Sequence, residues 1–291
     1  YPMFWGYSSM RTFHSVVSPS IMEFYQGLGI PRDVASRVPI ERYPLRSLLS
    51  TKYYFNRTNE KPLAMPGFKK IATQNNFDIY ENEYFIPMGF TYDYYITKEQ
   101  FDAKGSSPKD RLLLKGILLD YTQIIRYKDI LDQLPQEMAD SVYDPDGYAQ
   151  DCFDRKATAA YYFKTDTKGF TAKINLDKDN LVFFSVPYDK GFTATVNGKE
   201  ARVEKVNGGL MAVKCPKGEG VVIRFNYRPY GLVPGIIISI SGIVLLIGYI
   251  LIWNKLFKKE KFERVYDYVS FEERLEDKNS AAHNETADKE E

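Results

Sequence analysis

The segment GLVPGIIISISGIVLLIGYILIWNKLFKKEK, residues 231–261, constrains the fold more than any other part of the chain. No charged residue lies between Leu232 and Trp253. As a helix this stretch extends about 33 Å, enough to cross a hydrocarbon core of about 30 Å. A buried core helix is the competing interpretation, but apolar residues on every face over this length favour a membrane span. The sequence therefore predicts one transmembrane helix over 231–254.

Basic residues are concentrated after this helix, which bears on its orientation. Those that follow it are Lys255, Lys258, Lys259, Lys261 and Arg264, whereas Lys217, Arg224 and Arg228 precede it. The positive-inside rule then places residues 1–230 outside the cytoplasm and the tail, 255–291, inside. The tail is basic and then acidic, and we expect it to be disordered. A cytoplasmic body on a C-terminal anchor is the alternative.

The start of the chain bears on how the body would reach the outer side. No basic region followed by a long apolar run lies near Tyr1, and the sequence does not begin with Met. A folded segment of this length does not normally cross a membrane unaided. We therefore expect an upstream membrane segment and a longer, multi-pass parent protein in the cell membrane, with the lipid bilayer as a partner.

Composition narrows the class of protein. The net charge is +1, which gives no sign of a nucleic-acid partner. The 23 Tyr and 19 Phe residues favour β-rich packing, with sugar contact as the alternative use of exposed Tyr rings. Cys152 and Cys215 are the two cysteines, and the sequence leaves open whether they form a disulfide or remain buried thiols.

Residues 1–106 predict a mixed α/β segment. RSLLSTKYYF (46–55) and FDIYENEYFIPMGF (77–90) are typical of strands, and SPSIMEFYQGLG (18–29) of a short helix capped by Ser18. Residues 107–156 predict an amphipathic helix and a linker. That helix spans 107–134, starts with Ser107 as its cap and Asp110 in the capping-box position, and either docks on its own domain or lies on the membrane surface.

Residues 157–230 predict a β-sandwich domain of jelly-roll type. Short runs such as GFTAKINL and GVVIRFNY alternate apolar and polar residues between turn signals. Asn197 and Gly198 form a two-residue hairpin signal, because a type I′ turn needs positive φ at both positions. The predicted fold class is thus α+β: a mixed α/β segment, a C-terminal β-sandwich and one transmembrane α-helix.

Motifs for self-contained catalysis are absent from this sequence. His14 and His283 are the two histidines, and no cluster has metal-ligand spacing. The stretch DPDG, with Asp144 and Asp146, could hold a divalent cation but is favoured as a turn. Asn56 lies in a glycosylation sequon, a pattern that is frequent by chance. We predict no catalytic residue, no metal site and no cofactor in this chain.

The stretch VPYDKGF (186–192) is the one candidate binding segment. The favoured interpretation is a turn in which Asp189 binds backbone N–H groups while Phe184 or Phe192 fills the sandwich core. The alternative makes Tyr188 a stacking platform for a sugar and Asp189 an acceptor for its hydroxyls. Tyr188 and Asp189 are therefore the candidate glycan-binding residues.

Three ordered blocks resemble the bacterial YfhO-like membrane proteins. LVFFSVPYDKGFTATVNGKE resembles that family's FSVPYDxGW strand and Asn-Gly hairpin, with Phe192 in place of Trp. LRSLLSTKYYF resembles its LLGVKY block, with Ser50 and Thr51 where Gly-Val is usual, and IYENEYFIPMGF resembles its YEN…LPLGF block. The resemblance extends from about Tyr1 to Leu256.

The resemblance implies a polytopic protein similar to GT-C glycosyltransferases. Such proteins are associated with sugar transfer from a lipid-phosphate donor to cell-envelope polymers such as lipoteichoic acid. A polyprenyl-phosphate-sugar donor and a cell-envelope glycopolymer are then the expected partners. Catalytic carboxylates of GT-C enzymes lie in early loops that this chain does not contain, so no catalytic residue carries over. A non-catalytic, membrane-anchored module that binds glycan or protein is the alternative function.

Overall fold

A computed structural model of the chain describes residue 6, residues 8–10, residue 13, and residues 16–33, 38–106, 108–143, 146–257 and 274–280. The chain divides into two compact units, Tyr1–Tyr230 and Gly231–Glu291. The fold is α+β, with several sheets and one helix that could span a membrane.

The first unit contains seven short α-helices among its described residues. They are α1 (Pro19–Gly27), α2 (Tyr43–Leu48), α3 (Lys98–Asp102), α4 (Lys109–Lys115), α5 (Tyr121–Tyr127), α6 (Gln136–Asp140) and α7 (Gly147–Ala157), with 3-10 helices at Ile40–Arg42 and Ser141–Tyr143. The strands are β1 (Tyr53–Arg57), β2 (Phe68–Gln74), β3 (Phe77–Asn82), β4 (Phe90–Thr91), β5 (Tyr94–Ile96), β6 (Ile117–Leu118), β7 (Asp132–Gln133), β8 (Tyr162–Asp166), β9 (Gly169–Leu176), β10 (Asn180–Pro187), β11 (Phe192–Val196), β12 (Lys199–Ala201), β13 (Val203–Val206), β14 (Leu210–Cys215) and β15 (Gly218–Tyr227).

Two antiparallel sheets enclose one hydrophobic cluster. The first has the strand order β13-β14-β10-β4 and the second the order β12-β11-β15-β9-β8. Val182 and Phe184 from β10 meet Phe170 from β9 and Phe225 from β15 in this cluster. Alternate residues of β9 are buried from Phe170 to Leu176, as a strand with one face on a core requires. The alternating pattern in the sequence thus predicts these strands correctly.

The four-stranded sheet is buried on its other face as well. Leu181 and Phe183 alternate with Val182 and Phe184 along β10 and join a second cluster with Phe24 of α1 and Leu112 of α4. Strand β4, from the segment before residue 106, pairs with β10 in this sheet. Elements from before residue 106 and from after residue 156 therefore pack together, so the hydrophobic core continues across the predicted domain boundaries at residues 106 and 156.

The hairpin predicted at residues 197–198 is confirmed. Asn197 and Gly198 have φ of 50° and 79°, and Val196 pairs with Lys199 across the turn between β11 and β12. A Cβ added at Gly198 meets no heavy atom within 4 Å, so the surroundings leave room for a side chain. The backbone conformation alone thus favours glycine at this position.

Gly198→Val is expected to destabilise the first unit by about 1 kcal/mol or more, because a β-branched residue is strained at positive φ. Gly198→Asn is the matched control, since Asn tolerates the left-handed region. Urea unfolding of the two variants measures the difference. Equal stabilities would contradict a strained turn at this position.

The amphipathic helix predicted over 107–134 is wrong. At Gly116 the backbone is extended, and the next two residues form β6, parallel to β5. A Cβ on Gly116 would lie 2.9 Å from the Ile96 side chain and 3.0 Å from the Tyr94 carbonyl oxygen, so this close approach suits glycine. A new helix, α5, starts after Asp120, whose side chain forms a capping box with Gln123.

Two further details of residues 107–156 differ from the prediction. Pro108 takes the N-cap position of α4, and Asp110 forms an ion pair with Arg42 instead of a capping box; Ser107 lies outside the described residues. The predicted linker contains α6 and α7, and α7 contributes Tyr148 and Cys152 to the hydrophobic core.

Helices and strands nearer the N-terminus match the prediction in part. The helix predicted over 18–29 is confirmed as α1, although the Ser18 hydroxyl has no hydrogen-bond partner among the described residues. RSLLSTKYYF is a strand only from Tyr53 onward, because α2, with Pro44 in its first turn, extends to Leu48. Of the stretch 77–90 predicted as a strand, Phe77–Asn82 forms β3 and Phe90 begins β4, whereas residues 83–89 lie outside strands.

The second unit contains α8 (Leu232–Phe257). Among the described residues, this is the one helix long and apolar enough to cross a membrane, and none of it is buried. In the tail, residues 274–280 are helical, where the sequence predicted disorder. Glu and Lys residues in that stretch are good helix formers.

Candidate functional site

Tyr188 lies at the end of β10, where the backbone is fixed on both sides. Its N–H donates to the Gly209 carbonyl at 2.9 Å, and the Ser20 hydroxyl donates to its carbonyl oxygen. The side chain is half-buried and packs against the cluster between the two sheets. Only part of the ring is therefore free for contact with a ligand.

Asp189 closes a tight turn after β10. Its Oδ1 accepts from the Gly191 N–H at 2.7 Å, and its carbonyl oxygen accepts from the Phe192 N–H at 3.1 Å. Gly191 lies against the end of β15: it accepts from the Arg228 N–H at 2.9 Å, and a Cβ would lie 2.2 Å from the Arg228 carbonyl oxygen. This geometry supports the favoured structural role of Asp189.

Of the two phenylalanines proposed for the core, Phe184 is the fully buried one. Its exposed fraction is 0%, and its ring lies 5.2 Å from those of Phe170 and Phe225. Phe192 is half-buried at the edge of the cluster, with its ring 4.8 Å from that of Tyr227. The segment VPYDKGF therefore packs at the border of the cluster between the two sheets.

Tyr188→Ala is expected to lower the free energy of unfolding by about 1–2 kcal/mol, because the packing contacts of a half-buried ring are lost. Tyr188→Phe keeps the ring and serves as the control, with stability near that of the wild type. Urea unfolding gives the comparison. Unchanged stability of Tyr188→Ala together with loss of glycan binding would instead support recognition.

A buried carboxylate that the sequence analysis missed lies on β13. Glu204 is 3% exposed and accepts from Tyr127 Oη at 2.8 Å, from Gln123 Nε2 at 3.1 Å and from Arg202 Nε at 3.1 Å. Arg126 also pairs with it. Burial and the carboxylate raise the pKa of Tyr127 to about 12. The arginines balance the charge of Glu204, and the cluster joins α5 to β13. Glu204 lies two residues before the apolar Val206, on the same face of the strand. This spacing is the sequence signal that could have identified Glu204 as a buried carboxylate.

The remaining residues singled out from the sequence are the two histidines, the aspartates of DPDG and Asn56. His14, His283 and Asp144 lie outside the described residues. Within the described part of the chain, no group of three or more His, Cys, Asp or Glu could hold a metal ion. Asn56 is 6% exposed and its amide donates to the Lys61 carbonyl at 2.9 Å, so the side chain that would carry a glycan is buried.

Both cysteines are free and buried. Burial raises the pKa of each thiol to about 12, so the reactive thiolate is scarce at neutral pH. Of the two interpretations left open by the sequence, the structure shows buried thiols.

Comparison with known proteins identifies relatives of the whole body. A family model described as "Bacterial membrane protein YfhO" matches residues 1–144 and 144–239. A protein of Bacillus subtilis (strain 168) named "Uncharacterized protein YfhO" is 20% identical over 362 aligned residues, which cover 86% of this chain and 41% of that protein. The chain thus spans about two fifths of the length of this relative. No solved structure matches the chain.

Proposed function

Because the chain belongs to the YfhO family of bacterial membrane proteins, we propose that it is the extracytoplasmic C-terminal region and last transmembrane helix of a sugar-transferring membrane protein. The reaction proposed for the whole protein is transfer from a lipid-phosphate sugar donor to a cell-envelope polymer such as lipoteichoic acid. The family match over the body and the start of α8 is the observation that carries this proposal.

The role proposed for residues 1–230 is to hold or shape the acceptor glycan. A two-sheet body next in the chain to a membrane helix suits that task, since the proposed polymer lies outside the membrane. Catalysis is assigned to parts of the whole protein beyond this chain. Tyr188 and Asp189 remain the proposed sugar contacts on the turn after β10.

A non-catalytic binding module is the second candidate, and one observation favours it. The three-stranded sheet β1-β3-β2 exposes large apolar side chains: Tyr53 is 44%, Phe55 52% and Phe77 36% exposed. By the strand register these residues share one face of the sheet. Such a face can bind a glycan or a protein without catalysing a reaction.

Disruption of the gene in its own bacterium tests the proposal. The sugar content of the purified envelope polymers is expected to fall and to be restored by the wild-type gene. Unchanged sugar content after disruption would refute sugar transfer and leave the binding module.

A further inference from the structure

A cavity of about 310 Å³ lies where the C-terminal ends of α4 and α7 meet the segment between β4 and β5. Lys115 ends α4, and Arg155 lies in the last turn of α7. Asp93 comes from the segment between β4 and β5, and Tyr94 is the first residue of β5. The volume is at the small end of the range of about 300–1,000 Å³ that small-molecule sites occupy. It suits a ligand of one ring.

The charges around this cavity nearly cancel. Asp151 is bound by Lys115 at 2.6 Å and by Arg111 at 3.3 Å, and all three side chains are almost fully buried. Asp93 pairs with Lys178 at 2.9 Å at the surface. Asp154, which is exposed, accepts from the side-chain amide of Gln150 at 2.7 Å.

Arg155 contributes a guanidinium group to the lining of the cavity. The residue is 8% exposed, its NH1 donates to the Thr91 carbonyl at 2.6 Å, and its guanidinium lies 5.1 Å from the centre of the Tyr92 ring. Its buried Nε has no hydrogen-bond partner among the described residues. Because this nitrogen is sealed from solvent, the donors that Arg155 offers to a ligand in the cavity are the remaining N–H groups of its guanidinium.

The lining therefore offers donors, acceptors and an aromatic ring without a dominant charge. A phosphate would meet the carboxylates of Asp93, Asp151 and Asp154, and a metal cation would meet Lys115 and Arg155. A hydroxyl both donates and accepts, so a polyol satisfies both kinds of group. The half-buried Tyr94 adds an apolar face.

We propose that this cavity binds one neutral sugar ring, with Asp154 accepting from its hydroxyls and Arg155 donating to them. The choice of a sugar among neutral polyols rests on the proposed function. The cavity and the turn at Tyr188 are formed by different elements and can be tested independently.

Ala157 allows the cavity to be blocked without disturbing the core. It lines the cavity and is exposed, so Ala157→Phe places a ring at the site with little loss of packing. Lys156→Phe is the matched control, because Lys156 is the exposed neighbour on the same helix and does not line the cavity. Asp154→Asn removes the charge of an exposed acceptor while its size is kept.

Saturation-transfer NMR of the full chain, in a detergent without a sugar headgroup, measures binding of methyl β-D-glucopyranoside. We expect saturable millimolar binding by the wild type and by Lys156→Phe, and none by Ala157→Phe. Asp154→Asn should weaken binding by about tenfold, the effect of losing a charged hydrogen-bond acceptor. Thermal unfolding checks that each variant is folded.

Three results would overturn the proposal. Equal binding by Ala157→Phe and the wild type would place sugar binding elsewhere on the chain and leave the proposed function intact. Displacement of the glucoside by millimolar inorganic phosphate would make the cavity an anion site. Absence of wild-type binding up to tens of millimolar would remove the sugar site, while polymer sugar content in the gene disruption separately decides the proposed function.

Discussion

Asp110→Ala is expected to destabilise the first unit by about 3–5 kcal/mol, because it leaves a buried guanidinium without its counter-charge. Arg42 Nε lies 2.9 Å from Asp110 Oδ2, and the two side chains are 9% and 1% exposed. Arg42 NH1 also donates to the Leu28 carbonyl at 3.2 Å, which holds the guanidinium in place after the carboxylate is removed. Urea unfolding of the full chain in detergent measures the loss.

The double variant Arg42→Met with Asp110→Leu tests whether the loss of stability comes from the unpaired buried charge rather than from the loss of the ion pair itself. Apolar replacement of both partners is often nearly neutral, so the double variant should be more stable than Asp110→Ala. Lys98→Ala, which breaks an exposed ion pair with Asp102, should change stability little. A double variant as unstable as Asp110→Ala would contradict this explanation.

The pH dependence of stability provides a second readout for Asp110. Burial raises the pKa of its carboxyl group, and the nearby Arg42 offsets this only in part. A raised pKa means that the folded state holds the proton more tightly than the unfolded state. The stabilisation linked to Asp110 is then complete below its unfolded pKa and is lost as pH rises through its folded pKa. Asp110→Ala should lack this component of the pH profile.

Phe184→Ala is expected to lower the free energy of unfolding by about 3–5 kcal/mol, the range for a fully buried phenylalanine. Its ring contacts those of Phe170 and Phe225, so its loss leaves a cavity between the two sheets. Phe192→Ala is the matched control at the edge of the same cluster and should cost clearly less. Urea unfolding of both variants ranks them, and an equal or larger loss for Phe192→Ala would contradict the placement of the core.

The strands after residue 160 could be predicted because each has its own local signal. Alternation of apolar and polar residues marks β9, and Asn197-Gly198 marks a turn whose geometry needs no tertiary contact. The sequence also predicted α8, because an uncharged apolar stretch of that length is rare in structures other than membrane-spanning helices. The α+β class follows from such local patterns.

Features that depend on tertiary contacts could not be predicted. Apolar spacing from Leu114 to Leu131 fits one helix, but Gly116 lies too close to Ile96 for a helix to continue through it. The cavity near Arg155 joins α4, α7 and β5, which are far apart in the sequence. For Tyr188 and Asp189 the sequence indicated the turn, whereas the half-buried ring depends on packing against the two-sheet cluster.

The placement of residues 1–230 outside the cytoplasm is the central claim, because the proposed acceptor polymer lies there. Single cysteines at the exposed positions Lys217→Cys and Lys278→Cys report the two sides of α8. Cys152 and Cys215 are buried with pKa values near 12, so they contribute little background.

Labelling of the whole protein in intact cells with a membrane-impermeant maleimide is the most direct measurement. The account predicts that Lys217→Cys is labelled in intact cells and that Lys278→Cys is labelled only after the membrane is permeabilised. Labelling of Lys278→Cys but not Lys217→Cys in intact cells would place the body in the cytoplasm and contradict the account.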